Sequence, residues 1–287
     1  MTDSNSPDGV MRDHAASAPA AGATAGRDKR PRDPELWIHK PIDKYRKPRH
    51  ALEYRPDAAF FELADAVVQS GRTLLGYDRL YVFWQAIRNV SDMSGAVAEI
   101  GSFRGGSAYF IASSFKTLSG SEAEIHIFDT FEGHPADKIT DSDPFHKAGQ
   151  FDATSYDDVR QYLSPFADLH VHKGEVSTSL PGLPDRRFRL VHIDTDLYQP
   201  TLECLDYFGQ RMIAGGVCII DDYASKKCPG VPKAVAEYLG SRGDFHAWDM
   251  RTEQLMLVKR ESPAEKTGSA ITATPFGAGL RFANVCR

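Results

Sequence analysis

Acidic residues close four apolar runs of this chain. Glu99 leads into a glycine turn in EIGSFRGGS, Asp129 ends IHIFD, Asp194 and Asp196 end VHIDTD, and Asp221 and Asp222 end GGVCIIDDY. If those runs are strands of one open parallel sheet, every one of these carboxylates stands at the edge where such sheets bind their ligands. Two carboxylates ~5 Å apart at an effective dielectric of ~20 repel by roughly 3 kcal/mol. The pattern therefore calls for a cationic ligand, a metal ion or both.

The turn after the first run narrows the ligand. A dinucleotide-binding turn needs glycines at 101, 103 and 106, and position 103 is Phe. A P-loop needs Gly-Lys-Ser/Thr, which is absent. An acid, a glycine turn and a helix start remain. Glu99 beside that helix start suits a pyrophosphate poorly, because a pyrophosphate wants uncompensated N–H groups. It suits an ammonium or sulfonium charge. Asp129, at the end of the next run, can accept from two ribose hydroxyls. Ribose without phosphate and a cationic amino-acid end together describe S-adenosylmethionine. Taken alone the glycines make only a strand-to-helix turn and Glu99 is a solvated acid. The spacing to Asp129 is what favours a ligand.

The elements that must position these acids alternate. Two helices come first. DAAFFELADAVVQSG follows Pro56 and stops at Gly71, and YDRLYVFWQAIRNV carries Leu80, Phe83, Trp84 and Ile87 on one face. Then VAEIG reads as a strand, GGSAYFIASSFKTL as a helix and EIHIFD as a strand. After a loop of about two dozen residues, Ser155 and Asp158 open the helix SYDDVRQYL as in a capping box. LHVHK is a strand. FRLVHID and GVCIID are strands, each followed by a helix, PTLECLDYFGQRM and VPKAVAEYLGSR. FHAWD and QLMLVK close the series as two strands joined by a short turn. Such alternation predicts an α/β fold with a mostly parallel sheet and a reversed C-terminal hairpin, with helices on both faces.

Composition sets the frame. The chain has 287 residues, 41% hydrophobic and 25% charged, with a formal net charge of -5. Nothing in that balance points to nucleic acid, and no run of ~18 apolar residues suggests a membrane span. Cys204, Cys218, Cys228 and Cys286 show neither CxxC pairing nor finger spacing, so reduced thiols in the cytoplasm are expected. Four regions follow: a disordered tail over 1–34, an arm and helices over 35–92, a ligand-binding domain over 93–261 and a tail over 262–287. Trp37, Tyr45 and Tyr54 in the arm either shape an acceptor pocket or pack against a second subunit.

The stretches EIGSFRGGSA, FDTFEGHP, GEVSTSLP, HIDTDLYQPT, GGVCIIDDY and CPGVPKAVAEY resemble the macrocin-type O-methyltransferases, which methylate sugar hydroxyls of macrolides and related natural products. The resemblance covers residues 90 to 260. It implies a class I methyltransferase sheet of seven strands, S-adenosylmethionine and Mg²⁺ as cofactors, a small-molecule glycoside as acceptor and a homo-oligomer. It implies that Glu99, Gly101, Ser102, Phe103, Arg104, Gly105, Ser107, Asp129, Thr130, Phe131 and Asp194 contact the methyl donor. It also implies that Asp194, Asp221 and Asp222 hold the metal, and that Asp196 is the general base. The family's Asp-Thr-Leu-Pro run is replaced here by Ser177-Thr178-Ser179-Leu180-Pro181. His134 and His146 are expected as surface-loop residues, with base or substrate contact in reserve. His126 and His192 are expected inside the sheet and Cys228 in a loop. Tyr198 and Tyr223 are left between packing and pocket. Two other readings stay open: a cofactor-binding partner without chemistry, and a hydroxylase-type or N-methylating enzyme of the same fold.

Overall fold

The computed structural model describes residues 57–180, 185–240 and 242–261. The tails at 1–34 and 262–287 and the arm at 35–56, with Trp37, Tyr45 and Tyr54, lie outside the described residues. Among the described residues, helices α1 (Ala58–Gln69) and α2 (Tyr77–Val90) come first. Asp57 sets the start of α1 by accepting from the Phe60 N–H at 3.3 Å. The other oxygen of Asp57 accepts from the Trp84 indole at 2.5 Å, which ties α1 to α2. Helix formation at these two segments follows the apolar spacing, and Phe60, Leu80, Phe83, Trp84 and Ile87 are all buried.

The core is one seven-stranded sheet in the order β3-β2-β1-β4-β5-β7-β6. Its strands are β1 (Ala96–Ile100), β2 (Ile125–Asp129), β3 (Leu169–Lys173), β4 (Phe188–Ile193), β5 (Met212–Ile220), β6 (Phe245–Asp249) and β7 (Leu255–Lys259). Strands β1 to β5 run parallel, and β7 lies antiparallel to both β5 and β6. This is the predicted mostly parallel sheet with a reversed hairpin. The connecting helices are α3 (Gly106–Ser119), α4 (Tyr156–Tyr162), α5 (Val176–Ser179), α6 (Tyr198–Arg211) and α7 (Gly230–Leu239). The one-turn α5 falls in a segment whose Pro/Gly content gave no helical signal. Ser155 caps α4 as the sequence suggests, accepting from the Asp158 N–H.

Strand residues alternate between two cores. Val97, Ile127, Leu190 and Ile219 face α1, α2 and α3. Ala98, Phe128, Val191 and Cys218 face α6 and α7. Both sides being covered, β1 is buried at every position. The order reverses direction of growth between β1 and β4, and that switch point opens a crevice at the C-terminal edge.

At the β3 end of the sheet, aromatic rings stack across strands. His126 lies on His170 and His172 with centroids 4.9 and 5.3 Å away, and Phe128 lies on His172 at 4.7 Å. His126 Nδ1 is 3.0 Å from His172 Nε2, and His126 Nε2 is 3.1 Å from Glu124, which also binds Arg186. Burial, then the neighbouring His126 and His170, lower His172 to about 4. The unfolded chain takes a proton near 6.5 that the native chain refuses until about 4. This histidine's contribution is therefore complete above pH 6.5 and is lost as the pH falls toward 4. We expect His172→Phe, which keeps the stack without the titration, to show a shallower fall of Tm over that window. An identical fall in both proteins contradicts this assignment.

Candidate active site

The sequence puts the acids at strand ends, and the sheet brings those ends together. Asp194 N–H donates to the Ile100 carbonyl at 2.8 Å, and Asp221 N–H to the Ile193 carbonyl at 2.8 Å, so the ends of β1, β4 and β5 lie side by side. Gly101 (φ 86°) leaves no room for a side chain, because a Cβ there would overlap the Asp194 carbonyl oxygen. The glycine is required by the approach of two strand ends, not only by the turn. Asp196 and Asp222 sit at φ 60° and 55°, left-handed conformations that Asp tolerates better than most residues.

An open cavity lies over these strand ends. Gly101, Phe103, Asp129, Thr130, Asp194, Asp196 and Asp222 line it. Other predicted residues support that lining from behind. Ser102 is 2% exposed, and its N–H and that of Phe103 donate to Asp129 Oδ2 at 2.9 and 2.8 Å. Phe131, buried and at φ 56°, donates its N–H to Asp129 Oδ1 at 2.7 Å. Asp129 is thus a strut that joins the glycine turn to β2, and Oδ1, with a single donor, keeps a lone pair for a ligand. Burial raises its pKa against the pull of those three N–H groups. Gly105 caps α3 in the left-handed region, and Ser107 is buried in the first turn of that helix. Arg104 stacks on Phe103 and donates to the Ala153 carbonyl.

Glu99 stands elsewhere than the sequence suggests. Strand alternation puts it with Val97 on the α2 face, where it is 0% exposed and is not among the residues lining the cavity. Its Oε1 is 3.0 Å from His192 Nδ1, and its Oε2 has no hydrogen-bond partner among the described residues. His192, buried as expected for a strand residue, meets the edge of Phe83 and places Nε2 4.0 Å from Asp221 Oδ2.

The counter-charge demanded by the acids is partly internal. Arg79 reaches up from α2 and binds Asp221 Oδ1 at 2.8 Å, Asp222 Oδ1 at 3.1 Å and Glu253 Oε2 at 2.8 Å. Its Nε donates to the Thr252 carbonyl at 3.1 Å. Burial works against its charge, but Asp221, Asp222 and Asp194 outweigh burial and hold its pKa above the ordinary value. The expectation that only a ligand or a metal could balance the rim is corrected by this guanidinium. It came without a motif. Arg79 precedes Phe83 by one helical turn, on a face that is otherwise apolar, and that position was its one signal.

One cation does not balance the cluster. Burial and the charges of Asp221, Asp196 and Asp222 push Asp194 well above the usual carboxylate range. Burial and Asp222 do the same to Asp196. Burial raises Asp221 to about 6 despite Arg79. Single oxygens of Asp194, Asp196 and Asp222 lie within 4.8 Å of one another, as do ligand atoms of His192, Asp194 and Asp221. Asp221 Oδ2 is buried without a hydrogen-bond partner among the described residues. The all-oxygen set of Asp194, Asp196 and Asp222 fits a hard divalent cation, and the orphaned Asp221 oxygen belongs to the neighbouring set that shares Asp194.

The loop after β2 closes over Asp196. His134, expected at the surface, lines the cavity with Nε2 3.7 Å from Asp196 Oδ2 and no hydrogen-bond partner among the described residues. Burial, then His146, lower it to about 4, so it is neutral at pH 7. His146 lies against its ring and binds the Lys227 carbonyl. Cys228 is 3% exposed and donates its thiol to Asp196 Oδ1 at 3.5 Å. Burial, Asp222 and Asp196 raise that thiol, so it stays protonated. Lys138 lines the cavity and pairs with Glu203 at 2.9 Å and Glu175 at 3.8 Å. Its Nζ also donates to Ser177, in the stretch that replaces the family's acidic run. Tyr198 and Tyr223 are absent from the cavity lining: Tyr198 bonds Glu237, and Tyr223 packs beside the second core.

Residues 28–244 match the family model described as Macrocin-O-methyltransferase (TylF). A Streptomyces olivaceus protein, 8-demethyl-8-(2,3-dimethoxy-alpha-L-rhamnosyl)-tetracenomycin-C 4'-O-methyltransferase, is 28% identical over 182 residues, covering 60% of this chain and 69% of that one. The Micromonospora griseorubida mycinamicin III 3''-O-methyltransferase is 26% identical over 219 residues, covering 69% and 84%. The solved structure of the O-methyltransferase NovP covers 80% of this chain and all of its own, with a TM-score of 0.61 at 20% identity. At that identity the likeness shows the fold.

Gly101→Ala is expected to cost at least ~2 kcal/mol, since it combines a disfavoured φ with a clash against backbone. Urea denaturation measures it, and an unchanged midpoint counts against the tight strand-end contact.

Proposed function

This chain belongs to the macrocin-O-methyltransferase family and is an S-adenosylmethionine-dependent O-methyltransferase; we propose that it methylates a sugar hydroxyl of a glycosylated natural product with the help of a divalent ion. The observation that carries the reading is the convergence of Asp194, Asp196 and Asp222 at the floor of the cavity. The charges support it. The four carboxyl groups of Asp194, Asp196, Asp221 and Asp222 face one guanidinium, which Glu253 shares, and that excess of acid suits a sulfonium and a divalent ion.

In this reading Gly101, Phe103, Asp129 and Thr130 face the methyl donor, backed by Ser102, Gly105, Ser107 and Phe131. Asp129 Oδ1 takes a ribose hydroxyl. The donor, when bound, supplies an electrophilic methyl group on a positively charged sulfur. Arg104 acts at one remove, by holding Phe103. Glu99 acts at one remove too, by orienting His192 beneath the acids. Asp194 and Asp222 would hold the ion, with Asp221 contributing Oδ2. Bound there, a divalent ion lowers the pKa of an alcohol that is otherwise a poor nucleophile.

The chain's own residues then handle the proton. Asp196 lines the cavity, and its Oδ2 takes the proton from the sugar hydroxyl. The Cys228 thiol fixes Oδ1. Neutral His134 offers Nε2 to a neighbouring hydroxyl of the same sugar. Exposed Leu74 and Phe151 stand at the mouth of the cavity, where aromatic and apolar faces suit a sugar ring and its aglycone.

Two outcomes test the reading. Turnover of a glycoside acceptor should vanish with chelator and return with Mg²⁺, and activity indifferent to chelator removes the ion from it. Asp196→Asn should lower kcat by ~100-fold or more while S-adenosylhomocysteine binding stays near wild type. Near-normal turnover rejects Asp196 as the base.

A further inference from the structure

We propose that Arg79 competes with the divalent ion for the acid cluster and so sets how tightly that ion is held. The proposal rests on the reading that the cluster takes such an ion, and it concerns a residue outside every strand end. Arg79 stands on α2 with its side chain 19% exposed. One oxygen of Asp221 and one of Asp222 are committed to its guanidinium. Asp221 Oδ1 also takes the Asp222 N–H at 3.0 Å. The same two acids, through their ligand oxygens, join Asp194 in the candidate metal clusters. Guanidinium and ion thus draw on the same carboxylates.

Two features make this competition and not only support. The guanidinium is always charged, so no change of pH in the working range removes it. It is also anchored away from the acids, by Glu253 and by the Thr252 carbonyl in the β6–β7 turn, so it stays beside the cluster when the cluster fills. An incoming divalent ion therefore meets a fixed like charge held on two of its own candidate ligands. A residue that only braced Asp221 and Asp222 would aid ion binding. A competing cation opposes it. The two roles differ in sign.

Calorimetric titration of Mn²⁺ into the full chain, with S-adenosylhomocysteine present, reads that sign. Arg79→Met should bind Mn²⁺ at least ~10-fold more tightly than wild type, equivalent to about 1.4 kcal/mol. Arg79→Lys keeps the charge and should stay within about threefold of wild type. Equal or weaker binding by Arg79→Met, with wild type binding, overturns the competition and leaves the metal reading standing. Binding by Arg79→Met alone supports the competition and sinks the metal reading for the native protein. Binding by neither overturns both. Should Arg79→Met fail to fold, Glu253→Gln serves instead. It releases the guanidinium toward Asp222 and should weaken Mn²⁺ binding by about threefold. Unchanged affinity there overturns the proposal.

Discussion

Carboxylates drawn into one crevice repel one another, and the C-terminal rim of this sheet is organised around containing that repulsion. Strand ends β1, β4 and β5 meet so closely that Gly101 has no room for a side chain beside Asp194. Asp194, Asp196 and Asp222 are delivered to one floor, with Asp221 buried behind them. Arg79 relieves part of the strain from below, and the rest appears as raised pKa values in Asp194 and Asp196. A site left in that condition is poised for positive charge, and both a sulfonium and a divalent ion would answer it.

The surroundings sort the acids by task. Asp129 has become a strut holding the glycine turn, with one lone pair in reserve. Asp221 is turned inward, between Arg79 and His192. Asp194, Asp196 and Asp222 keep access to the cavity. Around Asp196 the chain has placed a neutral histidine and a protonated thiol, neither of which competes for a proton at neutral pH. Identical side chains thus acquire different roles from burial and partners alone.

Much of this was legible in the sequence. The alternation of elements, the reversed hairpin and the convergence of the strand-end acids follow from period and position, because a parallel sheet fixes where its strand ends lie. Contacts between distant segments were not legible. Arg79 lies 143 residues from Asp222, and a charged residue on an amphipathic helix ordinarily reads as solvated. His134 looked like a loop residue because nothing in its neighbours shows that the loop folds back over Asp196. Glu99 could have been placed from sequence. It shares strand parity with Val97, a core residue, and parity decides the face. Its position before a glycine turn points toward the ligand, and strand parity overrides that.

The most direct measurement is Mn²⁺ anomalous scattering from crystals grown with S-adenosylhomocysteine. A single peak bonded to Asp194 and to at least one carboxylate of the Asp221–Asp222 pair, beside the bound thioether, is the predicted result. Crystals with the thioether in the cavity and no peak among those acids would contradict the account.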